Sequence, residues 1–254
     1  MITLASDFGS PYPAAMKGVI ASRCDARLID VAHDFPRQDV RTAAFWLREL
    51  LPYFPSAVHL VVVDPGVGTD RAAIAVRAGE HALVGPDNGV LLPAARRLAG
   101  RDGTPEVFEV EYADPASVTF HGRDVFAPAA VEVHGVGAGR MGELSLLAPA
   151  TDHEDCSFPD PEIDSSGVSG EVLVVDGFGN VITNIPGEVL EGRFGGTVAV
   201  NGDPVPVEPT YAAVAAGERL VTVGSHGNVE FAVNRGRGET AFGVGTGDAV
   251  RIEW

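Results

Sequence analysis

The chain has 254 residues, 45% of them hydrophobic, and a formal charge of −17 at neutral pH. That hydrophobic content is enough to bury one large core or two smaller ones and excludes a disordered polymer, while the acidity argues against nucleic acid, whose phosphates need a basic face. No apolar run approaches the roughly 20 residues of a membrane-spanning helix, and Met1-Ile2-Thr3-Leu4 lacks the basic start of a signal peptide, so a cytoplasmic protein without a membrane partner is expected.

Residues 1–6 read as a strand broken at Ser6-Asp7-Phe8-Gly9. Pro13 to Arg23 reads as a helix with proline tolerated in its first turn, and Arg27 to Val31 as a second strand. Asp39 is placed to cap the next helix, whose Ala43, Trp46, Leu47 and Leu50 recur at helical spacing until Pro52 stops it. His59 to Val63 is the short apolar run of a strand buried on both faces of a parallel sheet. Ala72 to Val76, Ala82 to Val84 and Val107 to Val110 read as further strands, and Leu91 to Leu98 and Val125 to Val133 as helices. Strands alternating with helices predict an α/β layer structure over residues 1–150.

Residues 151–168 are polar and proline-rich, a linker. Over 169–254 only short strand-like runs follow: Gly170 to Val175, Gly196 to Val200, Leu220 to Val223, Val229 to Val233 and Ala249 to Glu253. Asn201-Gly202 is a two-residue hairpin signal. A small all-β domain or barrel is expected. Cys24 and Cys156 make neither a metal-ligand spacing nor a disulfide framework; both are expected to be free thiols, and no metal is expected.

Four polar clusters fall where apolar elements end, the positions at which open α/β sheets bind ligands. Asp7, at the tip of a strand, is suited either to accept the two hydroxyls of a ribose or to form a turn. Asp64 follows four apolar residues and needs a partner; Arg71, seven residues on, is placed to fold back across the Pro65-Gly66-Val67-Gly68 loop and supply it. His121, beside Gly122, is placed to present its ring to a pocket, and Asp124 to cap the helix after it. In Asp176-Gly177-Phe178-Gly179-Asn180, two glycines around Phe178 either expose the ring for stacking or bulge a hairpin with the ring in the core. Asn180 can donate to and accept from an adenine edge.

Taken in order, Ser6-Asp7-Phe8-Gly9, Ala15-Met16-Lys17-Gly18, Asp64-Pro65-Gly66-Val67-Gly68-Thr69, Gly85-Pro86-Asp87-Asn88-Gly89, Phe120-His121-Gly122-Arg123-Asp124 and Phe178-Gly179-Asn180-Val181-Ile182-Thr183-Asn184-Ile185 resemble the S-adenosylmethionine (SAM) hydroxide adenosyltransferase family, relatives of the bacterial fluorinase and chlorinase. The resemblance implies a Rossmann-like N-terminal domain, a C-terminal β-barrel domain and a homotrimer with SAM at subunit interfaces. It implies a SAM hydrolase: water attacks the ribose C5′ and yields adenosine and L-methionine, with SAM as substrate and no cofactor. The alternatives on the same scaffold are a non-catalytic SAM or adenosine sensor and a halide-using adenosyl halogenase.

The resemblance also implies roles. Asp64, Arg71 and His121 fall on the set around the nucleophilic water. Asp7 falls on the ribose-diol carboxylate, Phe178 and Asn180 on the adenine pocket, Asp176 on the methionine ammonium and Ser225 on the methionine carboxylate. The halide-using relatives carry tyrosine where this chain has Asp64, which favours water as nucleophile. His226 replaces an arginine, Gln38 replaces a tryptophan over the sugar, and the loop Gly9-Ser10-Pro11-Tyr12 omits an aspartate at the amino-acid end. The acidic composition, with Lys17 the single lysine against 17 arginines, is that of halophilic proteins, in which salt screens surface repulsion; a halophilic archaeon is the expected source.

Overall fold

β1 (Ile2–Ser6) is buried along its whole length and begins a seven-stranded sheet. The computed structural model describes residues 1–113 and 115–254, and the chain divides into two compact units, Met1–Ser157 and Phe158–Trp254. The residues read as a linker, 151–168, are thus shared between the two.

In the first unit, α1 (Tyr12–Ala21), with Pro13 in its first turn, leads to β2 (Leu28–Ala32). α2 (Val40–Leu50) starts where expected: the Asp39 carboxylate accepts from the Thr42 amide at 2.9 Å, a bond that satisfies one of the helix's orphan donors. The unit continues with β3 (Val58–Val62), β4 (Ala73–Ala78), β5 (His81–Pro86), α3 (Leu92–Ala99), β6 (Glu106–Val110), α4 (Ala127–Val136) and β7 (Leu147–Pro149).

The strand order is β2-β1-β3-β5-β4-β6-β7. β2, β1, β3 and β5 run parallel, and β3, the apolar run, is buried at every position. β4, β6 and β7 are antiparallel to their neighbours, so the sheet is mixed. The reason is local: only Gly79 and Glu80 separate β4 from β5, and a two-residue connection returns a strand antiparallel. Met16 and Ile20 of α1 and Ala130 and Val133 of α4 share one core with Ile2, Leu4, Leu60 and Val62; each large side chain fully buried there is worth roughly 1.5–3 kcal/mol.

Thr3 and His59 alternate to the other face of the sheet. Thr3 Oγ1 lies 2.8 Å from His59 Nδ1, and His59 Nε2 lies 2.9 Å from His81 Nδ1. Burial, reinforced by His81, lowers the His59 pKa to about 3. At the opposite end of β1, Lys17 Nζ donates to Asp30 at 2.6 Å, Asp30 bonds His33 Nε2 at 3.0 Å, and His33 Nδ1 meets the Ser6 hydroxyl at 2.7 Å.

The second unit comprises β8 (Glu162–Ile163), β9 (Gly167–Val175), β10 (Val181–Pro186), β11 (Thr197–Val200), β12 (Asp203–Pro206), β13 (Arg219–Val223), β14 (Asn228–Val233), α5 (Gly238–Phe242) and β15 (Ala249–Glu253). The antiparallel path is β12-β11-β15-β9-β10-β14-β13, with β8 beside β9. Val207, just past β12, bridges to Val221 of β13, so the two edge strands meet and the sheet nearly closes into a barrel around Val172, Val181, Val221 and Phe231. Asn201 and Gly202, with φ of 50° and 90°, form the tight turn between β11 and β12. Among the described residues, both cysteines are free, no group of ligands is arranged for a metal ion, and no helix is long and apolar enough to cross a membrane.

Candidate active site

β1 and β3 lie side by side with Ser6 opposite Val62, and the chain runs to β2 on one flank of β1 and to β3 on the other. This divergence opens a crevice beyond the carboxyl ends of the two strands. Asp7 directly follows β1 and Asp64 follows β3 by two residues, so topology alone brings both carboxylates there. A cleft of about 550 Å³ occupies the position, with Asp7, Asp64 and His121 in its walls.

Asp64 emerges from the core behind Val62 and Val63, and its side chain is 6% exposed. Arg71 folds back across the loop, as its spacing predicts. Its Nε donates to Asp64 Oδ1 at 2.8 Å and its Nη2 donates to Oδ2, a two-pronged pairing that fixes the carboxylate plane. Nη1 donates to the Ala72 carbonyl at 3.1 Å, and the guanidinium lies over the Phe126 ring, 4.9 Å from its centroid.

The same Nη2 reaches His121 Nδ1 at 3.0 Å. A guanidinium has no acceptor, so Nδ1 accepts and the neutral imidazole carries its proton on Nε2. Burial first, and then the positive charge of Arg71, hold the ring below its ordinary pKa, against the opposing pull of Asp64 and Asp124. His121 therefore enters the cleft wall as a neutral hydrogen-bond donor.

His121 is set in place by the turn that follows it. Residues Gly122–Phe126 form a π-helical turn leading into α4, with Val125 and Phe126 anchored in the core. A Cβ at Gly122 would stand 2.9 Å from Met16 Sδ and 3.2 Å from Val62 Cγ1, so the glycine lets this turn press against α1 and β3 without displacing the Met16 side chain. The helical turn begins two residues before Asp124, which consequently caps nothing. Instead the Asp124 carboxylate accepts from Arg123 Nε at 2.6 Å and from the Ser117 amide at 2.9 Å.

Asp7 is 9% exposed, and its Oδ2 accepts from the Gln38 amide at 2.6 Å. Gln38 has φ of 63°, an uncommon backbone for a residue with a side chain, and this carboxylate is what holds it. Phe8, Tyr12 and Phe120 form a further wall, packed edge to face with centroids 5.7–6.1 Å apart. Sequence reasoning missed all three, although Phe8 and Phe120 stand inside segments it singled out.

The remaining candidates lie in the second unit. Asp176 organises the turn between β9 and β10: it accepts from the Phe178 and Asn180 amides at 2.9 Å each and from Asn180 Nδ2 at 3.0 Å. The segment is thus a hairpin turn, and its Phe178 ring is 81% exposed, as the first of the two expectations has it, and not in the core. Ser225 lies exposed on the β13–β14 turn, at the other end of the β10–β14 ladder from Asp176. Between them sits Glu230, buried, accepting from the Tyr211 hydroxyl at 2.9 Å; burial, and then the charge of Asp176, raise its pKa. Neither Glu230 nor Tyr211 stood out in the sequence, where one is an alternating strand position and the other a lone loop aromatic.

An α/β unit with a carboxylate, guanidinium and imidazole joined at its switch point, followed by a barrel, defines a class of two-domain proteins. A family model described as the SAM hydroxide adenosyltransferase N-terminal domain matches residues 2–141, and one described as the C-terminal domain of the same family matches residues 170–251. The chain is 42% identical to an (R)-S-adenosyl-L-methionine hydrolase of Salinispora tropica, over 99% of this chain and 97% of that protein. It is also 42% identical to one of Thermus thermophilus, over 97% of each. The crystal structure of an uncharacterized conserved protein from Thermotoga maritima superposes over the full length of both chains with a TM-score of 0.84 at 35% identity. The chain belongs to the SAM hydroxide adenosyltransferase family.

Proposed function

We propose that the chain hydrolyses S-adenosyl-L-methionine at the ribose C5′, releasing adenosine and L-methionine, with the (R)-sulfonium epimer named for its relatives as the substrate. The observation that carries this reading is the Asp64–Arg71–His121 cluster facing the same cleft as Asp7. A water oxygen attacks C5′ while the C5′–S bond breaks and its electron pair stays on sulfur. Methionine departs as a neutral thioether, so no general acid and no cofactor is needed. The work left to the protein is to orient the water and draw off its proton.

The hydrogen-bond directions divide that work. His121 offers only a donor, Nε2–H, and so holds the water through its oxygen. Asp64 keeps lone pairs beyond those used by Arg71, accepts a water hydrogen, and takes the proton as the C–O bond forms. Asp7 accepts from the ribose hydroxyls. We also propose a homotrimer in which Phe178 and Asn180 of one protomer meet the adenine bound in the cleft of its neighbour, with Asp176 and Ser225 toward the methionine end; the exposed Phe178 ring supports this.

The test is incubation with each SAM epimer in ¹⁸O-water, with and without chloride. Adenosine labelled at the 5′-hydroxyl, formed from the (R)-epimer regardless of chloride, is expected. Unlabelled adenosine, chloride-dependent 5′-chloroadenosine, or binding without turnover overturns the reading.

A further inference from the structure

No residue of Gly85-Pro86-Asp87-Asn88-Gly89 lines the cleft, yet this segment touches both ends of the loop that carries Asp64 and Arg71. Asn88 Nδ2 donates to the Val63 carbonyl at 2.9 Å, the carbonyl of the very peptide whose nitrogen is that of Asp64. The Asp87 amide donates to the Ala72 carbonyl at 3.0 Å, and this carbonyl also receives Arg71 Nη1. One short turn therefore grips the chain just before the carboxylate and just after the guanidinium.

The turn is itself held. Asn88 Oδ1 accepts from the Val90 amide at 3.2 Å, and the Asn88 amide donates to the Pro86 carbonyl at 3.1 Å. A Cβ on Gly85 would stand 2.5 Å from the Val61 carbonyl, so the glycine lets β5 close on β3 immediately before the grip. From behind, the Asp87 carboxylate accepts from the Glu154 amide at 2.9 Å. Residues 65–70 between the gripped ends are mostly exposed and are tied locally, the Thr69 amide and hydroxyl both donating to the Gly66 carbonyl, so the loop's two ends take their position from the turn that grips them.

We infer that Asn88 is a positioning residue for the reaction, its side-chain amide fixing the peptide from which Asp64 reaches the water. The inference rests on the role proposed above for Asp64. Reactions that depend on alignment are sensitive to small errors, and a displacement of about 1 Å costs on the order of 100-fold in rate.

Asn88→Asp retains size and the acceptor for Val90 but removes the donor to Val63. Its kcat is expected to fall about 10- to 100-fold, with KM for (R)-SAM within about twofold of the parent. The deciding measurement is a double-mutant cycle with Asp64→Asn, followed by adenosine accumulation. If Asn88 acts through Asp64, the second substitution adds little further loss. Equal losses in both backgrounds, as a merely structural defect or a smaller folded fraction would give, overturn the inference, as does an unchanged kcat in Asn88→Asp. If Asn88→Asp does not fold, Asn88→Ala enters the same cycle. An Asp64→Asn enzyme that turns over normally instead overturns the underlying role of Asp64.

Discussion

Arg71 and His121 share a hydrogen bond with only one possible direction, from Nη2 to Nδ1 across 3.0 Å. It settles the tautomer of the ring: Nδ1 accepts and the proton sits on Nε2, which is what the proposed mechanism asks of the histidine. In that mechanism the proton leaving the water passes to Asp64.

Replacing the guanidinium tests that arrangement directly. Lysine keeps the charge but has no planar fork to serve two carboxylate oxygens and an imidazole together. Arg71→Lys is expected to lower kcat by about 100-fold, comparable to a displacement of about 1 Å, while leaving the melting temperature within a few degrees. Near-normal turnover would mean that a point charge suffices.

Acidification tests the ring. The cluster needs His121 neutral, and its pKa lies below the ordinary 6.5 because of burial and the Arg71 charge. The acid limb of kcat is therefore expected to be centred below pH 6.5. A limb centred at or above pH 6.5 in the pH–rate profile would contradict the assigned tautomer.

The two cleft carboxylates are expected to separate binding from chemistry. Asp64→Asn should lower kcat by about 10²- to 10⁴-fold with little change in KM, as for loss of a proton acceptor. Asp7→Ala should raise KM by about 10- to 100-fold, equivalent to one charged hydrogen bond of roughly 1.5–3 kcal/mol, with a smaller effect on kcat. Interchanged phenotypes in steady-state kinetics would reverse the assignment.

Far from the cleft, His59 contributes to the acid sensitivity of the fold. Its pKa of about 3 in the folded protein lies below the 6.5 of an ordinary imidazole, so the unfolded chain binds the extra proton first. The stabilisation is complete above pH 6.5 and is lost as pH falls from there toward 3, at about 1.4 kcal/mol per pH unit. Denaturant melts from pH 6.5 to 4 should show stability falling at least that steeply, and His59→Asn should reduce the slope. An unchanged slope would place acid sensitivity elsewhere.

What could be read from sequence follows from the range of the forces involved. Asp39 as a cap and Asn201-Gly202 as a turn are local devices, and both are found as expected. Asp64 with Arg71 was legible because a carboxylate emerging from an apolar strand needs a nearby cation, and only a short loop intervenes. Asp124 misled because an acidic residue beside a helix start looks like a cap, whereas the π-helical turn starts earlier, once Gly122 packs against Met16 and Val62. β10 went unread because Asn184 and Pro186 interrupt its alternation. The antiparallel half of the first sheet and the Thr3–His59–His81 chain depend on register between distant strands, which no local pattern encodes. Asn88 belongs with these: nothing in its neighbourhood along the chain reveals that its partner is the carbonyl of Val63.

The pairing of Lys17 with Asp30 has a practical corollary. With a single lysine in the chain, an amine-selective acylating reagent finds one side chain to modify, and modification would cancel the charge that holds Asp30, two hydrogen bonds from Ser6 and so next door to Asp7. A fluorophore attached there would report on the Lys17–Asp30–His33–Ser6 chain without engineering the sequence, the main-chain α-amine being the competing group.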